Sequence, residues 1–197
     1  MAANIGRPLE FDPDTALDAA MNVFWARGYE HTSMQDLLGA MNLSKSSLYQ
    51  AFGGKQPLFR QCIGRYADQF AGRLRMGLAA APSGRQFIEA FLNSVLEDVD
   101  GAGEPRGCLV MNTASEFALR EPRIAQDVAQ SIKRFHAVLR AAVERGQREG
   151  DIAPERDART LANYLVSSMS GLKTQAKAGA DMATLKGIIA LVLKALD

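Results

Sequence analysis

The 197-residue sequence has few of the side chains on which enzymes usually depend: it holds two histidines, two cysteines and one tryptophan. The histidines do not form a His-Glu-x-x-His pattern, and the chain has neither a Gly-x-Ser-x-Gly nucleophile motif nor a phosphate-binding loop. Metal sites need three or four clustered ligands, whereas Cys62 and Cys108 are isolated. We therefore expect no catalytic residue, no metal site and no bound cofactor.

Long apolar runs and an excess of one charge are also missing. The sequence has no stretch of about 18 apolar residues, the length that could span a membrane. The first eleven residues lack the apolar segment of a signal peptide. Two cysteines without an export signal are typical of reduced thiols, so we expect a cytoplasmic protein without membrane contact. The 23 basic and 22 acidic side chains leave a net charge of +1, so a nucleic-acid surface has to be a local patch.

The sequence does contain helical periodicity along most of its length, and no strong run alternates apolar and polar residues. This pattern predicts an all-α fold of about nine helices. Helix starts are indicated by caps or first-turn prolines, with Thr32 and Gln35 at capping-box spacing. The predicted starts are Asp12-Pro13, Thr32, Ser44, Ser83, Pro122, Pro154 and Asp181, and a further helix is expected from Cys108 to Leu119.

The pattern changes near Gly53, where short helices give way to long ones. This change predicts an N-terminal domain of three helices, residues 1–53, and a larger helical domain, residues 54–197. The second and third helices are very short, as in a helix-turn-helix unit. Asn42 can adopt the left-handed conformation that a tight turn between them requires.

The third helix, residues 44–52, carries the most functional information. Leu48 and Phe52 are four residues apart and would face inward, which leaves Lys45, Ser46, Tyr49 and Gln50 on the outer face. Hydroxyl, ammonium and amide groups bond phosphates and base edges in the major groove of DNA. Basic residues also concentrate nearby, since residues 27–65 hold five basic and two acidic side chains. The acidic residues of the first helix would then have to face away from DNA.

Residues 10–65 combine Gly28-Tyr29, Thr32-Ser33, Leu37, Ala40, Leu43-Ser44-Lys45, Leu48-Tyr49, Phe52, Lys55 and Leu58-Phe59. This combination resembles the N-terminal domain of the tetracycline-repressor (TetR) family. The segment departs from the family pattern at Leu38, where alanine is usual, and at Asn42, where glycine is common. The short run from Arg106 to Val110 is similar to the opening of the sixth helix in one subgroup of that family.

The resemblance implies a homodimeric transcriptional regulator, a repressor that a small-molecule inducer releases from double-stranded operator DNA. Ser44, Lys45, Ser46, Tyr49 and Gln50 would then lie in the major groove. Thr32 and Ser33 would bond a phosphate at the N-terminus of the second helix, and Lys55 would do so on the flanking strand. Arg7, in the N-terminal arm, would reach a minor groove.

The larger domain is expected to hold the ligand and the dimer contact. Its aromatic residues either belong to the hydrophobic core or line an apolar cavity. Cys108 is either a buried core residue or a redox sensor. The predicted pocket residues are Phe70, Phe91, Cys108, Asn112, Glu116, Phe117, His136 and Tyr164. By analogy with the family, the last two helices pair with their copies through Leu161, Leu165, Ser168, Met169, Leu172, Leu185, Ile189 and Leu193.

Two alternatives remain open from the sequence. The chain could be a helical small-molecule-binding or enzymatic protein whose first three helices do not bind DNA. It could also be a DNA-binding protein whose larger domain is fully packed and takes no ligand.

Overall fold

The computed structural model describes residues 11–101, 105–117 and 120–197, and over these residues it contains nine helices and no strand. The predicted all-α class and helix number are therefore confirmed. The helices are α1 (Pro13–Arg27), α2 (Met34–Met41), α3 (Lys45–Phe52), α4 (Lys55–Ala80), α5 (Gly84–Asp100), α6 (Leu109–Phe117), α7 (Pro122–Glu149), α8 (Ala158–Lys177) and α9 (Met182–Lys194). None of the described helices is long and apolar enough to cross a bilayer.

Most helices begin where their capping residues predict. Asp12 caps α1 by accepting hydrogen bonds from the backbone N–H groups of Asp14 and Thr15. Ser44 caps α3 by accepting from the N–H of Ser47, and Asn42 has a φ of 52° between α2 and α3. Satisfied N-terminal N–H groups and a residue that tolerates the left-handed conformation together fix the short turn.

The predicted start of α2 was wrong by one residue, because the capping box is formed by Ser33 and Asp36. The Ser33 hydroxyl accepts from the N–H of Asp36 at 3.1 Å, and the Asp36 carboxylate accepts from the N–H of Ser33 at 2.9 Å. Thr32 cannot serve as the cap, since its hydroxyl donates to the carbonyl of Gly28 at 2.6 Å and the residue is 1% exposed.

The predicted start of α8 at Pro154 was also wrong, because the helix begins after Asp157. The Asp157 carboxylate accepts from the Thr160 N–H at 2.8 Å, while Pro154 lies in the preceding turn. The helix predicted from Cys108 to Leu119 runs from Leu109 to Phe117, and Leu119 lies outside the described residues.

Contacts group the chain into two units that divide within α4, one ending at Arg65 and the other beginning at Tyr66. The domain boundary predicted between residues 53 and 54 stays a prediction. In the N-terminal unit, the rings of Phe24, Tyr29 and Phe59 pack with centroids 4.8–6.0 Å apart. They form the core together with other side chains that are 0% exposed: Ala20, Leu37, Leu48, Leu58 and Ile63.

The helical unit that begins at Tyr66 has its core between α5, α7, α8 and α9. Two glycines let α5 and α7 approach closely. A Cβ at Gly84 would overlap the carbonyl of Ala142 and would lie 2.5 Å from the N atom of Gly146. Arg145 of α7 closes the end of α4 by donating to the carbonyls of Leu78, Ala81 and Pro82.

Candidate functional site

The outer face of α3 is built as the sequence pattern predicts. Leu48 is 0% and Phe52 is 5% exposed, so these two side chains anchor the helix in the core of the N-terminal unit. Lys45, Ser46, Tyr49 and Gln50 all lie on the solvent side; we call these four residues the α3 face. About one and a half turns of helix thus present an ammonium, a hydroxyl, a phenol and an amide side by side.

The N-terminus of α3 adds a group of hydroxyls to this face. Ser44 Oγ lies 2.9 Å from Ser46 Oγ and 2.8 Å from Ser47 Oγ, and it accepts from the Ser47 N–H at 3.1 Å. Hydroxyls at the positive end of a helix dipole favour an anionic ligand such as a phosphate. Ser44 therefore both starts the helix and belongs to an exposed polar cluster.

Tyr49 is held in place by a glycine that the sequence did not single out. Gly54 has a φ of 113°, and a Cβ at this position would lie 3.2 Å from Tyr49 Cε1. The ring therefore packs over the bare backbone of Gly54 while the residue remains 49% exposed. The run Gly53-Gly54 was the available sequence signal, but it indicated only a helix boundary.

Lys55 is oriented by an aromatic ring. Its Nζ lies 4.2 Å from the centroid of the Tyr29 ring, which in turn packs against Phe24 and Phe59. A cation over a ring face is attracted by the ring quadrupole. The Tyr29 ring thus holds the ammonium of the half-buried Lys55 in place at the first turn of α4. The family resemblance implies that this lysine contacts a phosphate.

Thr32 and Ser33, predicted together as phosphate contacts, have different environments. Ser33 is exposed and its hydroxyl donates to Asp36 at 2.7 Å, whereas the buried hydroxyl of Thr32 donates to Gly28. The hydrogen bonds from the Ser33 hydroxyl and N–H, followed by that from Arg27, lower the pKa of Asp36 from 3.8 to about 2. The structure therefore exposes the Ser33 side chain, but not that of Thr32, and Ser33 has to turn its hydroxyl proton away from Asp36 to reach a phosphate.

Two acidic residues of α1 are paired with one arginine within the N-terminal unit. Arg65 donates to both carboxylate oxygens of Asp18 at 2.8 and 2.9 Å and to Asp14 at 3.0 Å. The bidentate pair of Arg65 with Asp18 has the geometry in which an arginine binds a carboxylate most strongly. Sequence reasoning required these acids to be kept away from DNA but did not identify Arg65 as their partner.

The helical unit contains an apolar cavity of about 20 Å³ lined by residues of α4 to α8 and by Cys108. Of the predicted pocket residues, Phe70, Phe91 and Cys108 line it. Sequence reasoning missed Met111, Met169 and Lys173 of the lining. This volume accommodates about one water molecule, so the surrounding side chains nearly fill the cavity in this conformation.

The other predicted pocket residues lie outside this cavity. Asn112 donates to the carbonyl of Arg106 at 3.0 Å, and His136 Nε2 lies 3.2 Å from the carbonyl of Arg159. Phe117 is buried elsewhere, Glu116 is half-buried, and Tyr164 lines an open groove near the start of α8. Residue type alone could not separate these side chains from those that line the cavity.

Both cysteines are buried. Burial raises the pKa of the Cys62 thiol, and the residue has no exposed surface. Burial, followed by the neighbouring Cys108 thiol, likewise raises the pKa of the Tyr66 hydroxyl. Among the described residues, no group of three histidine, cysteine, aspartate or glutamate side chains is placed to hold a metal ion.

The stripe predicted as the dimer contact faces inward. Six of its side chains belong to the core of the helical unit, Leu193 packs against that core and Ser168 is half-buried. The six are Leu161, Leu165, Met169, Leu172, Leu185 and Ile189. These six side chains are buried within one chain and cannot contact a second copy, because the main apolar stripe of each helix packs inside the protomer.

The opposite sides of α8 and α9 are exposed and rich in small residues. The exposed residues Tyr164, Ser167 and Gly171 recur at helical spacing on α8, and Gly187 and Leu191 do so on α9. We call these five residues the outer α8–α9 face. Apart from adjacent backbone of the same helix, no atom lies within 4 Å of a Cβ built at Gly171 or Gly187, and Leu191 is 65% exposed.

The chain matches known proteins along almost its whole length. Residues 16–62 match the family model for bacterial regulatory proteins of the tetR family, and residues 84–192 match that for the tetracyclin repressor-like C-terminal domain. The chain is 30% identical to the HTH-type transcriptional repressor ComR of Escherichia coli K12 over 194 residues, covering 96% of this chain and 90% of that protein. It is also 30% identical to the uncharacterized HTH-type transcriptional regulator YezE of Bacillus subtilis over 198 residues, covering 98% and 100%.

A solved structure supports the same assignment. The chain is 34% identical to a cysteine mutant of the TetR family transcriptional regulator CifR, solved in complex with 26-base-pair operator DNA, with a TM-score of 0.83. The alignment covers 97% of this chain and all of that one. The chain therefore belongs to the tetR family of bacterial regulatory proteins and is a DNA-binding transcriptional regulator.

Proposed function

We propose that the chain is a homodimeric repressor that binds a palindromic operator through α3 of each protomer and is released by a small molecule. The α3 face carries this proposal, because four polar side chains project from one side of a helix whose other side is anchored by Leu48 and Phe52. The relative ComR is named a repressor, and CifR has been solved on operator DNA.

Each polar group then has a specific role. Tyr49 and Gln50 contact base edges. Lys45 and Ser46 contact either base edges or a phosphate of the DNA backbone. Ser33, Ser44 and Lys55 contact phosphates at the starts of α2, α3 and α4. Thr32 is left out of this set because its side chain is buried.

Dimerisation uses the outer α8–α9 face. Small residues such as Gly171 and Gly187 let two helices approach closely, and the exposed Leu191 gains an apolar partner. A two-fold axis presents two copies of α3 to successive major grooves, which suits a palindrome. A bacterial operator lies in the cytoplasm, and the proposal places the protein there.

Release from the operator follows from a shift between two populations of the dimer. A ligand that binds the non-operator form more tightly lowers operator affinity by the same factor. A tenfold loss needs a difference of about 1.4 kcal/mol. Helix α4 contributes residues to both units and is the proposed path for the change.

A footprint of the purified protein on the DNA upstream of its own gene tests the proposal. We expect one protected palindrome at low salt, with affinity that falls as salt is raised. A Gln50→Ala variant should change the preference among operator sequences without changing the salt slope. Absence of protection at low salt over this region and the neighbouring genes would refute operator binding.

The volume of the cavity favours a second candidate, a regulator of the same family that takes no ligand. A space of about 20 Å³ is too small for an organic molecule unless side chains move. Saturable binding of an acid in the experiment below would exclude this second candidate.

A further inference from the structure

We infer that the cavity of the helical unit takes a small organic acid with an apolar or aromatic body, and that Lys173 binds its carboxylate in exchange for Asp98. This inference rests on the ligand release in the proposed function and names the class of ligand. It is carried by the position of one lysine, since the cavity is otherwise lined mainly by apolar side chains.

Lys173 of α8 is a largely buried cation in the wall of the cavity. Its side chain is 14% exposed, and its Nζ lies 2.7 Å from Asp98 Oδ2 on α5. An ammonium removed from water needs an anionic or hydrogen-bonding partner to remain charged. Asp98 supplies this partner from the solvent side, because its own side chain is 43% exposed.

The remainder of the lining selects for the body of the ligand. Phe70 and Phe135 meet edge to face with centroids 4.9 Å apart, and Phe91 lines the same cavity. Among the described residues, no aspartate or glutamate lines the cavity, and its polar lining residues are Cys108, Ser170 and Lys173. An anion therefore meets one cation, which it has to take over from Asp98, and the described lining offers an amine no anionic partner.

The cavity has to enlarge to admit such a molecule, and its lining includes flexible side chains that can move. Met111 and Met169 have unbranched, polarizable side chains that can adopt other rotamers at low cost. The long stem of Lys173 likewise allows its ammonium to turn from Asp98 to a ligand. Binding then replaces the ion pair between α5 and α8 by a contact with the ligand, which gives the two states different interactions.

Titration calorimetry with the full-length protein tests the inference, with benzoate and phenylacetate as the acids and benzamide as the neutral probe. We expect saturable binding of an acid and binding of benzamide that is at least tenfold weaker. Lys173→Met should weaken acid binding about 10- to 100-fold, the usual loss for a hydrogen bond between charged groups. Asp98→Asn should strengthen it, because the competing carboxylate is removed.

The opposite signs of these two variants distinguish ligand exchange from a structural role, since loss of the ion pair alone would affect both in the same direction. Lys133→Met, at an exposed lysine of α7, is the matched control and should bind the acids as wild type does. Circular dichroism confirms that each variant is folded.

Three results would overturn the inference: no acid binding up to about 20 mM, which includes weak millimolar affinities; equal binding of benzoate and benzamide; or unchanged acid affinity in Lys173→Met. Operator binding by the ligand-free protein is measured separately. A normal footprint together with any of these results refutes the acid site alone, whereas acid binding without a footprint refutes the operator proposal alone.

Discussion

Tyr49 shows how a single exposed side chain can be fixed without being buried. Its ring rests on Gly54, where no Cβ is present, so the phenol projects from α3 in a defined direction. A side chain that is already ordered loses less entropy when it contacts a partner. The sequence pattern identified Tyr49 as outward-facing, but its support by Gly54 depends on a turn geometry that the pattern does not encode.

Tyr49→Ala should weaken operator binding by about 1–3 kcal/mol, the range for a side chain that discriminates bases. Its thermal unfolding should change little because the residue is half exposed. Fluorescence anisotropy with the footprinted operator measures the affinity, and Tyr49→Phe separates the role of the hydroxyl from that of the ring. An unchanged affinity for the alanine variant would remove Tyr49 from the interface.

Lys55→Ala should lower the slope of log affinity against log salt by about one. The reason is that one phosphate contact, and the counterion it releases, is lost. Salt titrations of wild type and variant give the two slopes, with Lys186→Ala on α9, in the other unit, as a control. Identical slopes would mean that Lys55 only stacks on Tyr29.

Asp36 provides a pH test of the capping box. Its pKa falls from 3.8 to about 2 because Ser33 and then Arg27 donate hydrogen bonds to the ionised carboxylate. A folded-state pKa below the unfolded value stabilises the protein above pH 3.8, and this contribution is lost as the pH falls towards 2. Wild type should therefore unfold at a higher temperature than Asp36→Asn at neutral pH, and the difference should close at about pH 2. A difference independent of pH would show that ionisation of Asp36 does not matter.

Among the helices, cap residues and prolines each predicted most starts, with one error at Thr32 and one at Pro154. Asp12, Ser44, Ser83 and Asp181 each precede a helix and accept its N-terminal N–H groups. Pro154 was misleading because proline suits a turn as well as the first turn of a helix. A side chain that satisfies backbone donors has a physical reason to start a helix, whereas proline only permits one.

The faces of α8 and α9 could not be assigned from their periodicity. Leu165 and Leu185 repeat at helical spacing, which indicates burial but does not tell whether the burial is within the chain or between two copies. The structure assigns them to the core of the helical unit. The lining of the cavity was equally out of reach, since Lys173 meets Asp98 across 75 positions of sequence.

The crossing of α5 and α7 gives a test at the scale of elements. Gly84→Ala should lower the free energy of unfolding by about 1–3 kcal/mol, because the added methyl would strike backbone atoms that cannot turn aside. Gly72→Ala on α4 is the matched control, since a Cβ there meets no atom within 4 Å. This control should gain about 0.5–1 kcal/mol from its higher helix propensity. Urea unfolding measures both, and equal effects would contradict the close crossing.

For the whole molecule, the proposed dimer depends on the outer α8–α9 face. Leu191→Glu should shift the protein towards the mass of one chain, 21.3 kDa, because a buried unpaired charge opposes association. Light scattering after size-exclusion chromatography measures the mass. Met76→Glu alters another apolar side chain that is 66% exposed and should leave the mass unchanged. A Leu191→Glu protein with the mass of wild type would place the interface elsewhere.

The nearly filled cavity has a further consequence for how such a regulator would behave in a cell. A helical unit that is well packed without a guest needs none to reach its native state. Under the proposed function, in which the ligand-free dimer binds the operator, newly synthesised protein would be competent at once and the target genes would start out switched off. Expression would begin only where a metabolite accumulates enough to force the packed helices apart.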